Sequence, residues 1–397
     1  AAALPPVKKM CAGGLPRNIG QIRELAKKQA ATITMGQLMR WRSSDPQQLI
    51  RLGRWLHEHI PIRYARRLDE FLQLPYAVVQ NAKFKEVLNK YLDTLDAVSA
   101  FPKIRTRQDE AAFCDLMSDQ LQHHRSVAVL VSEGYAEIRH MYPNVKLDDF
   151  LDNLFATRIS TRILVDNYID MRKPRLLHTG IVQKDLQPLR IIQELAEALT
   201  DLTYDIYQCC PEIIYQGNLS CTVDYIPGHV AIVVREVLKN ALRATVERHL
   251  ARQASSKQPA VWKEPPPVVV ELQKGDVNVI IKISDQGGGM PKRLQKEAWQ
   301  YGWTTVLEED DQNITLDPAT WPAQAGVASS RRKDLAGYGF GLPLTRLYAQ
   351  YFGGEVFMQA LPGHGTDMYL LLNHLREGAP STEMDDPSTA LTVNENR

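Results

Sequence analysis

The chain has 397 residues, which is long enough for two or three domains. Its 44% hydrophobic and 23% charged residues are typical of a globular protein, and its net charge of +1 gives no global electrostatic basis for binding nucleic acid. We find no uninterrupted apolar stretch of membrane-spanning length, and the five cysteines lack a CxxC pattern, which favours free thiols in a reducing compartment.

The two ends of the chain differ in charge from its middle. Residues 1–44 contain eight lysines and arginines against a single acid, Glu24. Residues 1–40 therefore resemble a basic leader left from an organelle transit peptide, with an exposed basic arm or a vector-derived extension as the alternatives. The polar, acidic composition of residues 377–397 predicts a disordered tail.

Residues 41–180 have the pattern of long amphipathic helices. Leu49, Leu52 and Leu56 share one helix face, and Pro61 is expected to begin a second helix that continues the apolar stripe. The segment DDFLDNLFATRISTRILVDNYI repeats the same three-to-four spacing of apolar residues. Such helices, joined by turns that contain proline, predict an N-terminal four-helix bundle.

Residues 181–376 mix helices and strands. A helix rich in leucine and alanine precedes the strand-like segment SCTVDYIP, and a further helix is expected from Val230 to Leu250. The pair PVVVELQ and VNVIIKISD and the pair EVFMQAL and TDMYLLLNHL each flank a turn signal and predict a β-hairpin. This mixture predicts an α/β sandwich, so that the fold class of the whole chain is α+β.

The glycine-rich stretch AGYGFGLPLTRLYAQYFGG, residues 336–354, suggests a phosphate site. Glycines before a helix expose backbone amides to an anion, and the positive end of the helix faces it too. The stretch nevertheless lacks the lysine of a Walker loop, the glycine spacing of a dinucleotide fingerprint and the partner motifs of ordinary protein kinases. Taken alone, it is a weak signal for nucleotide binding.

Three more motifs accompany this stretch. Glu236 and Asn240 share a helix face, where they can activate a hydroxyl and coordinate Mg²⁺, or simply be solvated. Asp285 follows a predicted strand and precedes three glycines, so it can accept a hydrogen bond from an adenine amino group or begin a turn. Thr366 opens the last strand, where its hydroxyl can close a base pocket or belong to a plain hairpin.

The four motifs, in this order, resemble the ATP-binding domain shared by gyrase, mismatch-repair ATPases, heat-shock chaperones and histidine kinases. In detail, EVLKNALRATVERH, ISDQGGG, GYGFGLPLTRLYAQYFGG and GHGTDMYL, behind a helical bundle, resemble the mitochondrial protein kinases of the 2-oxoacid dehydrogenase complexes. Members of that family phosphorylate serine on the dehydrogenase component and thereby inactivate it. The resemblance extends from TITMGQLMRW to LLLNHL, and QHHRSVAVL lacks the Glu and Pro of a phosphoacceptor histidine box.

The resemblance implies a role for each matching residue. Glu236 would be the catalytic base or orienting carboxylate, Asn240 would hold Mg²⁺, and Asp285 and Thr366 would read adenine. Lys239 and Arg243 would add positive charge or be surface cations, and residues 337–342 would form the hinge of an ATP lid. The implied ATP site comprises Glu236, Lys239, Asn240, Arg243, Asp285, Gly287, Gly289, Thr304, Thr305, Gly337, Tyr338, Gly339, Phe340, Gly341, Leu342 and Thr366.

Two positions depart from the family pattern. The pyruvate-type kinases carry a histidine one helical turn before the catalytic glutamate, but Ile232 stands there and His229 lies further back. A mechanism that relies on a His–Glu pair is therefore in doubt. An effector pocket in the bundle is implied by His124, Arg158 and Arg162, with helix-surface ion pairs as the alternative for the arginines. Leu121 replaces a further arginine of that pocket, so the effector is expected to differ.

The branched-chain type of kinase is favoured as the finer assignment, with pyruvate dehydrogenase kinase as the alternative. The long segment 305–337 and a tail without an Asp-Trp extension support the branched-chain type. FPKIRTRQDEAAFCDLM also resembles the bundle of that type, and GTDMYLLLNHL resembles its last strand. A histidine kinase, a chaperone-like ATPase and a non-enzymatic ATP-binding switch remain as further alternatives. The resemblance also implies ATP and Mg²⁺ as cofactors, with K⁺ left open, a lipoyl domain as docking partner, a homodimer and a location in the mitochondrial matrix.

Overall fold

The computed structural model describes residues 19–29, 45–172, 178–255, 264–304 and 339–375. The chain divides into two compact units, which meet in the sequence between Ile181 and Val182. Within the described ranges, none of the helices has the length and hydropathy of a membrane span.

The first unit is a bundle of helices, as predicted, followed by a two-residue strand. Three long helices form its centre, since α2 (Pro46–Phe71) packs against both α4 (Ala82–Ala100) and α7 (Asp148–Asp170). Its elements are α1 (Ile19–Ala26), α2 (Pro46–Phe71), α3 (Tyr76–Gln80), α4 (Ala82–Ala100), α5 (Arg107–His123), α6 (Val127–Met141), α7 (Asp148–Asp170) and β1 (His178–Thr179).

Side-chain caps define where two of these helices begin. Asp45 accepts a hydrogen bond from the backbone N–H of Gln47 at 3.2 Å, at the start of α2. At the start of α5, the Thr106 hydroxyl accepts from the Asp109 N–H at 3.1 Å while the Asp109 carboxylate accepts from the Thr106 N–H at 2.8 Å. This reciprocal capping box satisfies two donors that the first helical turn leaves unpaired.

Pro61 lies inside α2, so the prediction that it begins a second helix is wrong. A proline removes one hydrogen bond from a helix interior and normally bends or ends the helix. Here Leu56 and Ile60 before it and Ala65 after it are all fully buried. The apolar face of α2 therefore continues through the proline, and its burial outweighs the lost hydrogen bond.

The second unit is a two-layer α/β sandwich, as predicted. Its elements are β2 (Val182–Leu186), α8 (Pro188–Tyr207), β3 (Ile213–Gly217), β4 (Val223–Tyr225), α9 (Pro227–Ser255), β5 (Val268–Lys274), β6 (Asn278–Ser284), α10 (Lys292–Glu297), α11 (Gly341–Tyr351), β7 (Glu355–Leu361) and β8 (Gly365–Asn373). Helices α8, α9 and α11 pack on each other or on the five-stranded sheet, whose strand order is β3-β5-β6-β8-β7. Strands β3 and β5 run parallel, and the other neighbours run antiparallel.

Both predicted hairpins are present, and they set the register of the sheet. The β5–β6 hairpin pairs Leu272 with Ile281, and the β7–β8 hairpin pairs Leu361 with Gly365. On β6, alternate residues such as Ile281 are fully buried, which matches a strand that packs one face against helices. This register carries Asp285 to the end of β6, beside the first residues of β8.

Candidate active site

A cavity of about 540 Å³ lies in the second unit, in the size range of small-molecule binding sites. It is bordered by α9, the loop after β6, helix α10 and the start of α11. Twelve of the predicted ATP-site residues line it: Glu236, Lys239, Asn240, Arg243, Asp285, Gly287, Gly289, Thr304, Gly339, Gly341, Leu342 and Thr366. The structure therefore brings residues from four separate sequence motifs to one cavity.

Among the described residues, Phe340 is the predicted site residue that does not line this cavity. The Phe340 side chain is 3% exposed and packs against Tyr301, with ring centroids 5.0 Å apart. The Phe340 ring therefore belongs to the core, and its place in the hinge of residues 337–342 stays a prediction. Thr305, Gly337 and Tyr338 lie outside the described residues.

Glu236 and Lys239 form a buried ion pair on α9. Lys239 Nζ lies 2.6 Å from Glu236 Oε2, and the two side chains are 2% and 14% exposed. Burial favours a raised pKa for the Glu236 carboxyl, but Lys239 and Arg235 outweigh it and hold that pKa below its usual value. Burial lowers the pKa of Lys239, and Glu236 offsets this only in part. Glu236 is consequently a charged carboxylate that is already engaged by a cation.

The first residue of α11 comes close to this carboxylate. A Cβ atom at Gly341 would lie 2.5 Å from Glu236 Oε2, so the absence of a side chain permits the approach. The positive end of the α11 dipole therefore lies beside Glu236, where it favours a negative charge. The glycine-rich motif and the helix motif meet at this point of the cavity.

Asn240 lies one helical turn after Glu236 on the same face of α9. Its side chain makes no hydrogen bond to another residue within the described ranges, although it lines the cavity. The Arg243 guanidinium, in contrast, is paired with Glu247 at 3.1 Å. An uncommitted amide oxygen beside a carboxylate suits a hard cation such as Mg²⁺, which prefers oxygen ligands.

Asp285 is fixed from both sides at the other end of the cavity. Its Oδ1 accepts hydrogen bonds from the backbone N–H of Gly287 at 2.7 Å and of Thr366 at 3.2 Å. Burial raises the pKa of Asp285 to about 6, and the two N–H donors limit that rise. Its Oδ2 has no hydrogen-bond partner among the described residues, so it can accept a hydrogen bond from a ligand.

Gly287 allows the loop after β6 to approach α9. A Cβ atom at this position would lie 2.4 Å from the Ala244 Cβ and 2.8 Å from the Ala244 carbonyl carbon. No ordinary residue other than glycine fits in this space without moving the loop. Gly287 therefore allows the loop that follows Asp285 to lie directly against α9 at the cavity.

Several residues that line the cavity were not predicted from the sequence. Arg248 and the apolar side chains of Met290, Leu294, Met358 and Met368 all contribute to its wall. The inward-facing positions of β7 and β8 resemble ordinary core positions in the sequence, which concealed the two strand methionines. The alternation of Met368 with Thr366 on β8 is a signal that could have indicated Met368, and Met358 is its partner across the β7–β8 hairpin.

The three predicted effector residues also come together, in the first unit. His124, Arg158 and Arg162 line a cavity of about 20 Å³ together with Tyr64, Tyr91, Leu121, Thr157 and Thr161. Arg158 donates to the His124 carbonyl at 2.6 Å, and Arg162 pairs with Asp166 at 3.0 Å. Burial lowers the pKa of His124 to about 3, so this imidazole is neutral. In this conformation the cavity has room for little more than one water molecule.

Comparison with known proteins gives two family matches. The mitochondrial branched-chain alpha-ketoacid dehydrogenase kinase family matches residues 32–183, and the histidine kinase-, DNA gyrase B- and HSP90-like ATPase family matches residues 226–376. A mitochondrial pyruvate dehydrogenase (acetyl-transferring) kinase of Arabidopsis thaliana is 28% identical over 375 residues, covering 93% of this chain and 97% of its own length.

Two further relatives carry the same name. Isozyme 4 of the mitochondrial pyruvate dehydrogenase (acetyl-transferring) kinase of Homo sapiens is 28% identical over 382 residues, covering 92% of this chain and 85% of its own length. The kinase of Schizosaccharomyces pombe is 33% identical over 277 residues, covering 67% of this chain and 60% of its own length.

Proposed function

Because the chain belongs to the family of mitochondrial 2-oxoacid dehydrogenase kinases, we propose that it transfers a phosphoryl group from ATP to serine on pyruvate dehydrogenase. The observation that carries this proposal is the convergence of Glu236, Asn240 and Asp285 on one cavity of about 540 Å³. Such a cavity supplies a carboxylate, a cation ligand and a base-recognition group to a single ligand.

The choice of pyruvate dehydrogenase corrects the preference for the branched-chain type. That preference rested on segment 305–337, on the tail, and on the likeness of FPKIRTRQDEAAFCDLM and GTDMYLLLNHL to the branched-chain type. The first two lie outside the described residues. The relatives that match most of the chain are named as pyruvate dehydrogenase kinases, which supports the alternative instead. The branched-chain dehydrogenase is kept as the second candidate substrate, because the bundle matches the family that bears its name.

We propose that ATP lies along α9, with its adenine and its phosphates near different turns of the helix. Arg248 lies twelve positions after Glu236, which corresponds to about 18 Å along a helix axis. The adenine amino group would donate to Asp285 at one end, and the phosphates would lie at the other end, beside Glu236, Lys239 and Gly341. Thr366 would close the base pocket next to Asp285, and Thr304 would face the ribose and phosphates.

Asn240 fits the proposed Mg²⁺ site, since its side chain is not committed to another described residue. Mg²⁺ commonly takes one or two protein oxygens and completes its shell with substrate phosphates and water. When bound, Mg²⁺ would neutralise negative charge on the phosphates during transfer. K⁺ stays a prediction to which we assign no residue.

Glu236 is the proposed orienting carboxylate or base for the serine hydroxyl. In the structure Lys239 Nζ donates to Glu236 Oε2 at 2.6 Å, so this oxygen is occupied and does not accept a proton from a substrate hydroxyl. A phosphate that arrives at this end of the cavity would compete for the Lys239 ammonium and release the carboxylate. Transfer then depends mainly on positioning and charge neutralisation, as is general for phosphoryl transfer.

The substrate is tested in two parallel reactions with labelled ATP. One contains the kinase and the dehydrogenase component of the pyruvate complex, and the other contains the kinase and the dehydrogenase component of the branched-chain complex. We expect phosphoserine on the pyruvate dehydrogenase component. Label on the branched-chain component alone would overturn the substrate assignment, and label on a histidine of the kinase itself would favour a histidine kinase.

We also propose the partners and location implied by the family. The relatives are mitochondrial kinases, and we extend this to the mitochondrial matrix, to a homodimer and to docking on a lipoyl domain. Light scattering after size-exclusion chromatography is expected to give twice the chain mass. Binding to an isolated lipoyl domain, compared with the same domain without its lipoyl group, tests the docking.

The bundle cavity is the proposed site of a small anionic effector. Two guanidinium groups, those of Arg158 and Arg162, border it next to the neutral His124. Calorimetric titration with pyruvate and with a branched-chain 2-oxo acid, on the wild type and on Arg162→Met, tests this site. Heat of binding that is equal in both proteins would exclude Arg162 from it.

A further inference from the structure

Arg248 connects helix α9 to the two segments that surround Asp285. Its Nη1 donates to the backbone carbonyl of Gln286 at 2.9 Å and to that of His364 at 2.5 Å, and its Nη2 donates to the carbonyl of Gly363. The first carbonyl belongs to the loop after β6, and the other two belong to the β7–β8 turn. One guanidinium group therefore holds three carbonyls from two segments that are far apart in the sequence.

The same two segments are joined by backbone hydrogen bonds. Gly363 N–H donates to Gly288 O at 2.8 Å, and Gly288 N–H donates to His364 O at 3.3 Å. Asp285 accepts one N–H from each segment, from Gly287 and from Thr366. The position of its carboxylate consequently depends on how both segments lie against α9.

The Arg248 side chain also packs over the glycine loop. A Cβ atom at Gly288 would lie 3.3 Å from Arg248 Cδ and 3.5 Å from its Nε, so the side chain covers this glycine closely. A guanidinium presents several donors in a rigid planar fork, whereas a lysine ammonium is a compact charge on a flexible stem. Lysine at this position would reach fewer of the three carbonyls.

We propose that Arg248 is a positioning residue that holds Asp285 in place for recognition of the adenine amino group. This inference rests on the proposed nucleotide site and adds a residue that none of the sequence motifs indicated. Arg248 lies about 18 Å along α9 from Glu236, so it acts on nucleotide affinity and leaves the transfer step unchanged.

The experiment measures nucleotide binding directly, without any dehydrogenase component. ATP is compared with purine riboside triphosphate, which lacks the amino group that Asp285 would accept. Arg248→Met is expected to raise the Kd for ATP about tenfold, the loss expected for roughly one hydrogen bond to a charged group. The Kd for the analogue is expected to change less than about twofold, because Asp285 makes no hydrogen bond to it.

Three controls separate positioning from general damage. Arg252→Met removes the same charge one turn further along α9, where the side chain is exposed, and is expected to leave both Kd values unchanged. Arg248→Lys preserves the charge and folding but is expected to recover only part of the ATP affinity. In an Asp285→Asn background, Arg248→Met is expected to add little further loss, since both changes act on one contact.

Each other outcome has a defined meaning. Equal loss for ATP and for the analogue in Arg248→Met would overturn the inference, and so would native affinity for ATP. Native affinity for ATP in Asp285→Asn would instead overturn the proposed adenine contact itself. The kcat for phosphoryl transfer is expected to stay within about twofold of the wild type while the KM for ATP rises, and a loss confined to kcat would contradict positioning at the base.

Discussion

Replacing Lys239 by methionine is expected to destabilise the second unit, because Glu236 would keep its buried charge and lose its partner. Lys239 Nζ lies 2.6 Å from Glu236 Oε2, and the two side chains are only 2% and 14% exposed. Methionine preserves most of the apolar stem of lysine, so the change removes mainly the charge. Removing one member of a buried pair costs about 3–5 kcal/mol, and because Glu236 is slightly exposed we expect a loss of about 3 kcal/mol.

Scanning calorimetry measures this loss as a shift of the melting transition of the second unit. A change of 1 kcal/mol moves the Tm of a unit of this size by about 2–4 °C, so we expect a fall of about 6–12 °C. The double variant Glu236→Gln with Lys239→Met removes both charges and is expected to recover most of that fall. Glu236→Gln alone serves as the matched control, since it leaves the lysine charge buried instead.

The pH dependence of this effect has a defined sign. In the wild type the pKa of Glu236 is lowered, so its stabilising contribution is present above the unfolded pKa and is lost as pH falls through the folded pKa. Without Lys239, burial raises the pKa of Glu236. The free-energy cost of burying the charged carboxylate is then fully present at high pH and disappears in acid, where the carboxyl is protonated. The difference in Tm between the wild type and Lys239→Met must therefore be larger at pH 8 than near pH 4. A Tm within about 2 °C of the wild type at pH 8, or a difference that grows in acid, would refute the reasoning.

Three further predictions concern particular contacts. Gly287→Ala places a Cβ 2.4 Å from that of Ala244, so we expect the Kd for ATP in calorimetric titration to rise at least about tenfold. Adding Ala244→Gly is expected to restore part of the affinity, and unchanged affinity in Gly287→Ala would contradict the contact. Tyr168→Phe removes the 2.7 Å hydrogen bond to the buried Glu110 carboxylate and is expected to cost the first unit about 2 kcal/mol, measured as a lower Tm in calorimetry, and a Tm equal to the wild type would exclude this contribution. Burial lowers the pKa of His124 to about 3, so the stability that this neutral ring contributes is present above the unfolded pKa of 6.5 and declines as pH falls toward 3. The NMR shift of its ring protons should therefore stay constant between about pH 5 and 8, and a titration midpoint near 6.5 would show a solvated ring.

The order of the motifs was sufficient to predict the second unit. Glu236 and Asn240 share a face because helical residues four apart do so, and Asp285 lies at the cavity because an alternating strand ends immediately before it. Both hairpins followed from turn signals between apolar runs. These features depend on spacing within one segment, which is what a sequence displays directly.

Contacts between distant segments were not predictable in the same way. Pro61 was expected to begin a helix, but the packing of α2 against two neighbours keeps the helix unbroken. The burial of the Phe340 ring against Tyr301 could not be predicted from its place between two glycines. Arg248 carried no signal, since its three acceptors come together only when the β7–β8 turn folds beside the loop after β6.

The central claim is that one cavity binds ATP and uses Glu236 to transfer its phosphoryl group to serine. The most direct measurement is a single-turnover reaction of wild type and Glu236→Gln with labelled ATP and the pyruvate dehydrogenase component, together with the Kd for ATP of each protein. We predict phosphoserine with the wild type, and with Glu236→Gln a Kd within about twofold of the wild type but a transfer rate lower by at least about a hundredfold. Transfer by Glu236→Gln at the native rate, or loss of ATP binding in that variant, would contradict the role given to this carboxylate.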